Sequence, residues 1–287
     1  MKTKILLMAV SSFFILHSSF VASAATTINA VNHYAYAANL GWVDAGGDVT
    51  SGVVIGEYVC SGQLYAANVG WISLGSGSPA NQIQYQNNSA TDFGVNHDGL
   101  GNLTGYAYGA NIGWINFENT GAPKVDLFTG NLSGSVWSAN CGWISLSNSV
   151  AFVQTDSIQK GPLSTNGLPI AWLLQNFGTT NINANADADG DGVSNGNEYL
   201  AGTTPTSAAS VLTITSIFRN PPANNSALNW NAVATRFYAV QTNNNLSSAV
   251  WGDFSAPPTL GLNNTAFTDN TPTNRFYRIR AYRPLTP

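Results

Sequence analysis

The stretch Tyr36-Ala-Ala-Asn39-Leu-Gly41-Trp42 decides the fold, because closely similar stretches occur three more times. They are Tyr65-Ala-Ala-Asn68-Val-Gly70-Trp71, Tyr108-Gly-Ala-Asn111-Ile-Gly113-Trp114 and Trp137-Ser-Ala-Asn140-Cys-Gly142-Trp143. We call these the four hairpin motifs. Their tryptophans are spaced by 29, 43 and 29 residues, so the first two motifs return as the last two 72 residues later (Trp42 to Trp114). Repetition of this kind predicts a repeat architecture built by duplication.

Each hairpin motif predicts two antiparallel strands joined by a turn of three or four residues. Asn and Gly both tolerate the positive φ that tight turns need, and the flanking residues alternate with aromatic and β-branched side chains. With the Asn at the centre of the turn, the leading aromatic residue faces the Trp across the strands. The expected pairs are Tyr36 with Trp42, Tyr65 with Trp71, Tyr108 with Trp114, and Trp137 with Trp143. The opposite face then carries aliphatic residues such as Ile72 and Leu74.

The paired aromatic residues are also candidate ligand-binding residues: Tyr36, Trp42, Tyr65, Trp71, Tyr108, Trp114, Trp137 and Trp143. We expect their rings to pack in a core or between layers. The alternative is a platform on which a carbohydrate stacks, and the exposure of Trp71 and Trp114 distinguishes the two interpretations. The spacing leaves open whether the repeats close as a sandwich, a barrel-like ring or a solenoid.

The chain divides into five segments by composition. A positive start, a short apolar run and the small residues Ala22-Ser23-Ala24 predict a secretory signal peptide over residues 1–24. The mature protein is therefore expected to be secreted or at the cell surface, with no transmembrane segment. Residues 25–156 form the hairpin repeat domain, residues 157–167 a linker, residues 168–206 a helix and a calcium-binding loop, and residues 207–287 a second β domain. The predicted fold class is all-β: an antiparallel hairpin repeat domain and a β-sandwich, joined by a short helix–calcium loop–helix segment.

Charge and cysteine content limit the function classes. Only 8% of residues are charged; residues 26–156 hold eight acids and one base, Lys124, whereas residues 207–287 hold six arginines and two aspartates. Neither imbalance is large enough to favour nucleic acid as a partner. Cys60 and Cys141 are the only cysteines, and in an oxidising compartment a disulfide between them is one of two open alternatives.

The most specific chemical signal is the segment Asp187-Ala-Asp189-Gly-Asp191-Gly192-Val193-Ser-Asn195-Gly-Asn-Glu198. Counted from Asp187, acids occupy positions 1, 3 and 5, Gly position 6, an amide position 9 and Glu position 12. Ca²⁺ prefers six to eight oxygen ligands, and a loop with this spacing wraps them round one ion. The predicted calcium ligands are Asp187, Asp189, Asp191, the Val193 carbonyl, Asn195 and Glu198. A short helix starts at Glu198 and ends at Gly202, while Pro169 and Gly178 bound a helix before the loop.

Three resemblances follow from these motifs. The loop resembles those of dockerins and thrombospondin type 3 repeats, which implies calcium binding. Leu228-x-Trp230 and the run Tyr277-Arg-Ile-Arg-Ala281 resemble a fibronectin type III domain, which implies a sandwich. The hairpin motifs resemble the GW-type β repeats of bacterial surface proteins, although Ala38, Ala67, Ala110 and Ala139 stand where those repeats have Glu.

Residues with catalytic spacing are scarce, and we predict no enzyme activity. His97 and Asp98 are neighbours in the chain, and neighbouring residues of a strand point to opposite faces. We therefore expect a non-catalytic structural or adhesion protein in which calcium stiffens the junction between two β domains. The alternative is a carbohydrate-binding protein that uses the aromatic face. The expected partners are extracellular polysaccharide or other cell-surface proteins.

Overall fold

The computed structural model describes residues 26–47, 50–220, 225–254, 259–260, 265–270 and 275–286, and the predicted signal peptide lies outside them. The described chain is built mainly of antiparallel strands with two short α-helices, which confirms the predicted all-β class. The strands of the first half are β1 (Ile28–Ala37), β2 (Gly41–Asp44), β3 (Val54–Ile55), β4 (Cys60–Ala66), β5 (Gly70–Ser76), β6 (Val95–His97), β7 (Leu103–Gly109), β8 (Gly113–Asn116), β9 (Lys124–Val125), β10 (Leu132–Ser133), β11 (Ser135–Ser138), β12 (Gly142–Ser145) and β13 (Val153–Thr155), with a 3-10 turn at Asn119–Gly121. The second half contains α1 (Ile170–Phe177), α2 (Asn195–Ala201), β14 (Ile214–Asn220), β15 (Asn225–Trp230), β16 (Phe237–Asn243), β17 (Gly252–Asp253), β18 (Thr259–Leu260), β19 (Thr265–Asp269) and β20 (Phe276–Tyr282).

The four hairpin motifs form a closed ring of eight strands. Each motif is one hairpin: β1–β2, β4–β5, β7–β8 and β11–β12. Neighbouring hairpins pair β2 with β4, β5 with β7 and β8 with β11, and β12 returns to pair with β1. The repeats therefore close as a barrel-like ring. We call it the hairpin ring.

The register inside each hairpin confirms the predicted cross-strand pairs. Tyr36 faces Trp42 and Tyr65 faces Trp71, and the other two hairpins repeat this arrangement. Each turn has three residues and is followed by a glycine with positive φ, from +73° at Gly113 to +83° at Gly41. An L-residue side chain is strained in that conformation, so these glycines set the turns.

The asparagine of each motif has a different role from the one its sequence position suggests. We expected it to tolerate positive φ in the turn, but none of the four motif asparagines has a positive φ. Instead, each side-chain amide crosses to the preceding hairpin of the ring and donates to a turn carbonyl there. The four bonds are Asn39 Nδ2 to Cys141 O (3.1 Å), Asn68 Nδ2 to Leu40 O (3.0 Å), Asn111 Nδ2 to Val69 O (3.1 Å) and Asn140 Nδ2 to Ile112 O (2.8 Å). Together they close a second circle at the turn end of the hairpin ring.

The interior of the hairpin ring is apolar. The residue after each Trp points inward and is buried: Val43, Ile72, Ile115 and Ile144. The turn residues Leu40, Ile112 and Cys141 are also buried and belong to the same apolar core. Cys60 is fully buried in β4, and both cysteines are free thiols. The two thiols therefore do not form the disulfide that the sequence left open.

The middle segment carries the two helices on either side of the predicted calcium loop. α1 follows Pro169 and ends at Gly178, whose φ is +67°, as the sequence predicts. α2 begins at Asn195, three residues earlier than expected, and ends before Gly202. Trp172 of α1 packs edge to face on Tyr199 of α2 with ring centroids 5.5 Å apart, so the helices flank the loop as one unit.

The C-terminal segment forms two antiparallel sheets packed face to face. One sheet has the order β14-β15-β19; in the other, β16 pairs with β17, β18 and β20. Trp230 of β15 shares an apolar cluster with Tyr238 and Val240 of β16, so the cluster spans both sheets. This matches the predicted sandwich, while the fibronectin type III resemblance stays a prediction.

The hairpin ring region, the helical segment and the C-terminal sheets meet at one carboxylate, that of Glu57, whose side chain is 11% exposed. The Arg236 guanidinium lies 3.4 Å from Glu57 Oε1, and the Arg283 guanidinium lies 3.1 Å from Oε2. The hydroxyl of Tyr199 donates to Oε2 at 2.6 Å. The start of the predicted linker is fixed beside them, because Gln159 makes backbone hydrogen bonds with both Ile55 and Glu57. We call Glu57, Tyr199, Arg236 and Arg283 the junction cluster.

Candidate functional site: an exposed aromatic ring and a carboxylate loop

The paired aromatic residues lie on the outside of the hairpin ring. We expected the Trp rings to be packed in a core, and this is wrong: Trp71 is 42% exposed and Trp114 46% exposed. The physical reason is the strand alternation, because the closed ring buries the aliphatic face and leaves the aromatic face outside. All eight candidate residues are between 39% and 48% exposed, namely Tyr36, Trp42, Tyr65, Trp71, Tyr108, Trp114, Trp137 and Trp143.

The rings of each pair hold one another in place. The centroid of Tyr36 lies 5.0 Å from that of Trp42 at an interplanar angle of 65°, and Trp137 lies 5.1 Å from Trp143 at 64°. The pairs Tyr65–Trp71 and Tyr108–Trp114 have similar geometry. Tilted aromatic pairs contribute about 0.5–1.5 kcal/mol beyond burial, so the rings are ordered while they face solvent. We call this set the aromatic belt. A belt of fixed, exposed rings is suited to stacking against a flat apolar surface of a ligand.

The second candidate site is the predicted calcium loop, where three of the predicted ligands lie close together. Asp187, Asp189 and Asp191 each offer a carboxylate oxygen, and these oxygens lie within 4.8 Å of one another. Asp187 accepts backbone hydrogen bonds from Gly190 and Gly192, which holds the loop in its turn.

The loop also contains buried oxygen atoms that have no hydrogen-bond partner among the described residues: Asp189 Oδ2, Asp191 Oδ2, Asn195 Oδ1 and Glu198 Oε2. Glu198 is 0% exposed, and within the described part of the chain its other oxygen accepts only from the Thr203 hydroxyl, at 3.4 Å. The amide nitrogen of Asn195 donates to Asn183 O, which fixes the side chain. A buried oxygen without a partner costs free energy, and a hard cation would satisfy all four.

The pKa of Glu198 also agrees with a loop that is suited to a cation. Burial, and then the nearby Asp189 and Asp191 carboxylates, raise the pKa of Glu198 to about 7. Without a cation, a buried carboxyl beside two others is therefore difficult to ionise. Val193 lies in the loop with its N–H donating to Asp191 Oδ1, so position 7 is held next to the carboxylates. The residues present fit a calcium ion.

The junction cluster is the functional feature that sequence reasoning missed. Glu57 and Arg283 are 226 residues apart, and no local pattern marks either residue as a member of an ion pair. Arg236 adds a second link, because its guanidinium donates to the Tyr199 and Leu200 carbonyls at the end of α2. Burial and the Glu57 carboxylate raise the pKa of Tyr199 above its ordinary value, so its hydroxyl stays a donor. The sequence offers only a general signal: 8% of the residues are charged and a buried charge must be paired, but this does not identify Glu57 or its partners.

Comparison with known proteins gives no match among family models, curated proteins or solved structures. Among the described residues, the helices are too short or too polar to cross a membrane. The functional conclusion therefore depends on the two candidate sites alone.

Proposed function

We propose that the protein is a non-catalytic secreted or cell-surface adhesion protein that binds extracellular polysaccharide on its aromatic belt. The observation that carries the proposal is the exposure of eight paired aromatic rings round one closed ring of strands. The negatively charged face of an aromatic ring attracts the weakly positive C–H groups of a sugar ring. A soluble protein rarely leaves so many large rings exposed together unless they take part in binding.

The charge of the repeat region favours an uncharged polysaccharide. Residues 26–156 hold eight acids and one base, so an acidic polymer would be repelled. We propose that calcium acts at a different place, in the loop between α1 and α2. There it stiffens the junction, because Glu198 of the loop and Tyr199 of the junction cluster are neighbours in α2. Calcium thus fixes the belt relative to the C-terminal sheets.

A glycan array probed with the full chain in excess calcium tests this function. Extracellular calcium sites have dissociation constants of roughly 10⁻⁴–10⁻³ M, so about 10 mM calcium is needed. We expect binding to uncharged glycans and none to sulfated or uronic acid polymers. Binding only to charged polymers, or to no glycan, would overturn the proposal.

A further inference from the structure

The four hairpins of the ring are not equivalent, although two of them have nearly the same aromatic residues. Tyr34 and Tyr36 flank Trp42 with centroid distances of 6.0 and 5.0 Å. Tyr106 and Tyr108, their duplicates, flank Trp114 at 6.2 and 4.8 Å. The two hairpins differ in the rings added around these residues. At the first, His33 packs on Tyr34 with centroids 4.1 Å apart, whereas at the second the added ring packs on the Trp itself.

Phe93 supplies that additional ring. Its centroid lies 5.1 Å from that of Trp114 at an angle of 85° and 6.2 Å from that of Tyr108 at 72°. The Phe93 ring is therefore almost perpendicular to the Trp114 ring, and the two rings form adjacent walls of a recess. The segment 87–93 extends this wall and encloses a cleft of about 470 Å³, lined by Asn87, Asn88, Ser89, Phe93, Tyr106 and Trp114. This volume lies within the roughly 300–1,000 Å³ typical of small-molecule sites. We call it the Trp114 cleft.

The wall of the Trp114 cleft is held in place by a buried carboxylate. Asp92 is buried, and its two carboxylate oxygens accept from the backbone N–H groups of Ala80 and Gln86. Asn87, whose φ is +54°, accepts at its side-chain oxygen from the Gly94 N–H. The cleft is therefore formed in the free protein, which lowers the entropic cost of binding.

The chemistry of the lining selects the ligand class. The cleft is lined by aromatic, amide and hydroxyl groups together with Ala90, and no charged side chain is among its lining residues. The Asn88 side chain is exposed and has no hydrogen-bond partner within the described chain, so it is available to a ligand hydroxyl. Apolar walls with a few polar groups and no charge fit a neutral pyranose ring.

A second cleft adjoins the first across β8. It measures about 320 Å³ and is lined by Asn116, Glu118, Thr120, Trp137 and Trp143. β8 contributes Trp114 to one cleft and Asn116 to the other, and Asn116 pairs with Trp137 of β11. Two adjacent aromatic clefts on one strand suit a ligand that extends over several sugar units.

We propose that the Trp114 cleft is the principal saccharide site. It takes one sugar unit of a neutral polysaccharide, and the following units run over β8 to the second cleft. This inference rests on the proposed function and narrows it, because it assigns binding to the third and fourth hairpins and not to the belt as a whole.

Trp42→Ala is a matched control for Trp114→Ala, because Trp42 has the duplicate neighbours and similar exposure but no Phe93 beside it. The full chain and its variants are titrated calorimetrically, in excess calcium, with neutral hexasaccharides of glucose, mannose, xylose and N-acetylglucosamine. A proline-rich peptide serves as a non-saccharide probe. We expect Trp114→Ala and Phe93→Ala each to weaken binding at least about tenfold, and Trp42→Ala, which removes a belt ring outside the cleft, to weaken it several-fold less than Trp114→Ala does. Thermal melts show which variants are folded.

If Trp42→Ala and Trp114→Ala lose the same amount of saccharide affinity, the cleft assignment is overturned, while saccharide binding by the belt is not. If Trp114→Ala does not fold, the Phe93→Ala result decides between the same two outcomes. No binding of any saccharide by the unmodified chain, or binding of the peptide alone, would overturn both the cleft and the proposed function.

Discussion

The Tyr199 hydroxyl donates a 2.6 Å hydrogen bond to the carboxylate of Glu57, 142 residues earlier in the chain. Tyr199 directly follows Glu198, the last predicted calcium ligand, in α2. The carbonyl of Tyr199 in turn accepts from Arg236, which precedes β16 of the C-terminal sheets. One residue of α2 therefore contacts both β regions. An ion that orders α2 would stabilise the docking of both.

Replacement of Glu57 by Gln should destabilise the protein strongly. Arg236 and Arg283 are buried, and the change leaves both guanidinium groups without their carboxylate. Breaking a buried ion pair from one side costs about 3–5 kcal/mol of unfolding free energy. Urea denaturation measures the loss, and Glu118→Gln, at an exposed glutamate of the same region, is the control. Equal unfolding midpoints for the two variants would show that the junction cluster does not hold the segments together.

Calcium should raise the unfolding free energy by about 1.4–2.7 kcal/mol when it is present at roughly 10–100 times its dissociation constant. Asp189→Asn and Glu198→Gln should remove this response, because each removes charge from the ligand set. Asp98→Asn, at an exposed acid outside the loop, should keep it.

The calcium effect is measured as a shift of the melting temperature and as protection of residues 178–205 from proteolysis. Chelation should reverse both. A melting curve and a digestion pattern that calcium leaves unchanged would contradict metal binding by this loop.

Asn111→Ala should cost about 0.5–1.5 kcal/mol of unfolding free energy, since it removes the bridge to the Val69 carbonyl. The bridge matters because β5 and β7 are joined by only two residue pairs. Asn88→Ala, at an exposed asparagine of the same region, should have no effect on stability. If both variants unfold at the same urea concentration, the circle of asparagines does not stabilise the ring.

Acidification should destabilise the protein through His97, while Glu198, whose pKa is raised to about 7, acts in the opposite direction over the same pH range in the absence of calcium. Burial lowers the pKa of His97, which the Gly56 carbonyl and the charges of Asp98 and Glu57 only partly oppose. The unfolded chain has the ordinary pKa of about 6.5 and binds the proton first, so stability is lost as the pH falls below that value. Measured by urea denaturation, the His97→Gln variant should lose less unfolding free energy than the unmodified chain between about pH 7.5 and about pH 5.5. If the unmodified chain and the variant lose the same unfolding free energy, the pH dependence comes from groups other than His97.

The sequence predicted those features that depend on contacts between residues close together in the chain. The pairs Tyr36–Trp42 and Trp137–Trp143 and the end of α1 at Gly178 follow from contacts within about ten residues, which a single stretch of chain specifies. Asp187, Asp189 and Asp191, three of the predicted calcium ligands, lie close together for the same reason, while calcium binding itself stays a prediction.

What the sequence did not predict depends on distant residues. The bridge from Asn39 to the Cys141 carbonyl spans 102 residues and exists only because β12 returns to β1. Closure also decides which face of each hairpin is buried, so the exposure of Trp71 followed from topology and not from its neighbours in the chain. The Trp114 cleft likewise needs Phe93, from outside any hairpin motif, to stand against Trp114.

Hydroxyl-radical footprinting with mass spectrometry, in excess calcium, tests the binding role of the aromatic belt most directly. In the free protein the belt residues should be oxidised, and the buried Trp172 and Trp230 should be spared. After addition of a neutral polysaccharide that the glycan array identifies, we predict protection at Trp114, Phe93 and Trp137, with Trp42 still oxidised. Unchanged oxidation of every belt residue in the presence of that bound polysaccharide would contradict saccharide binding by the belt.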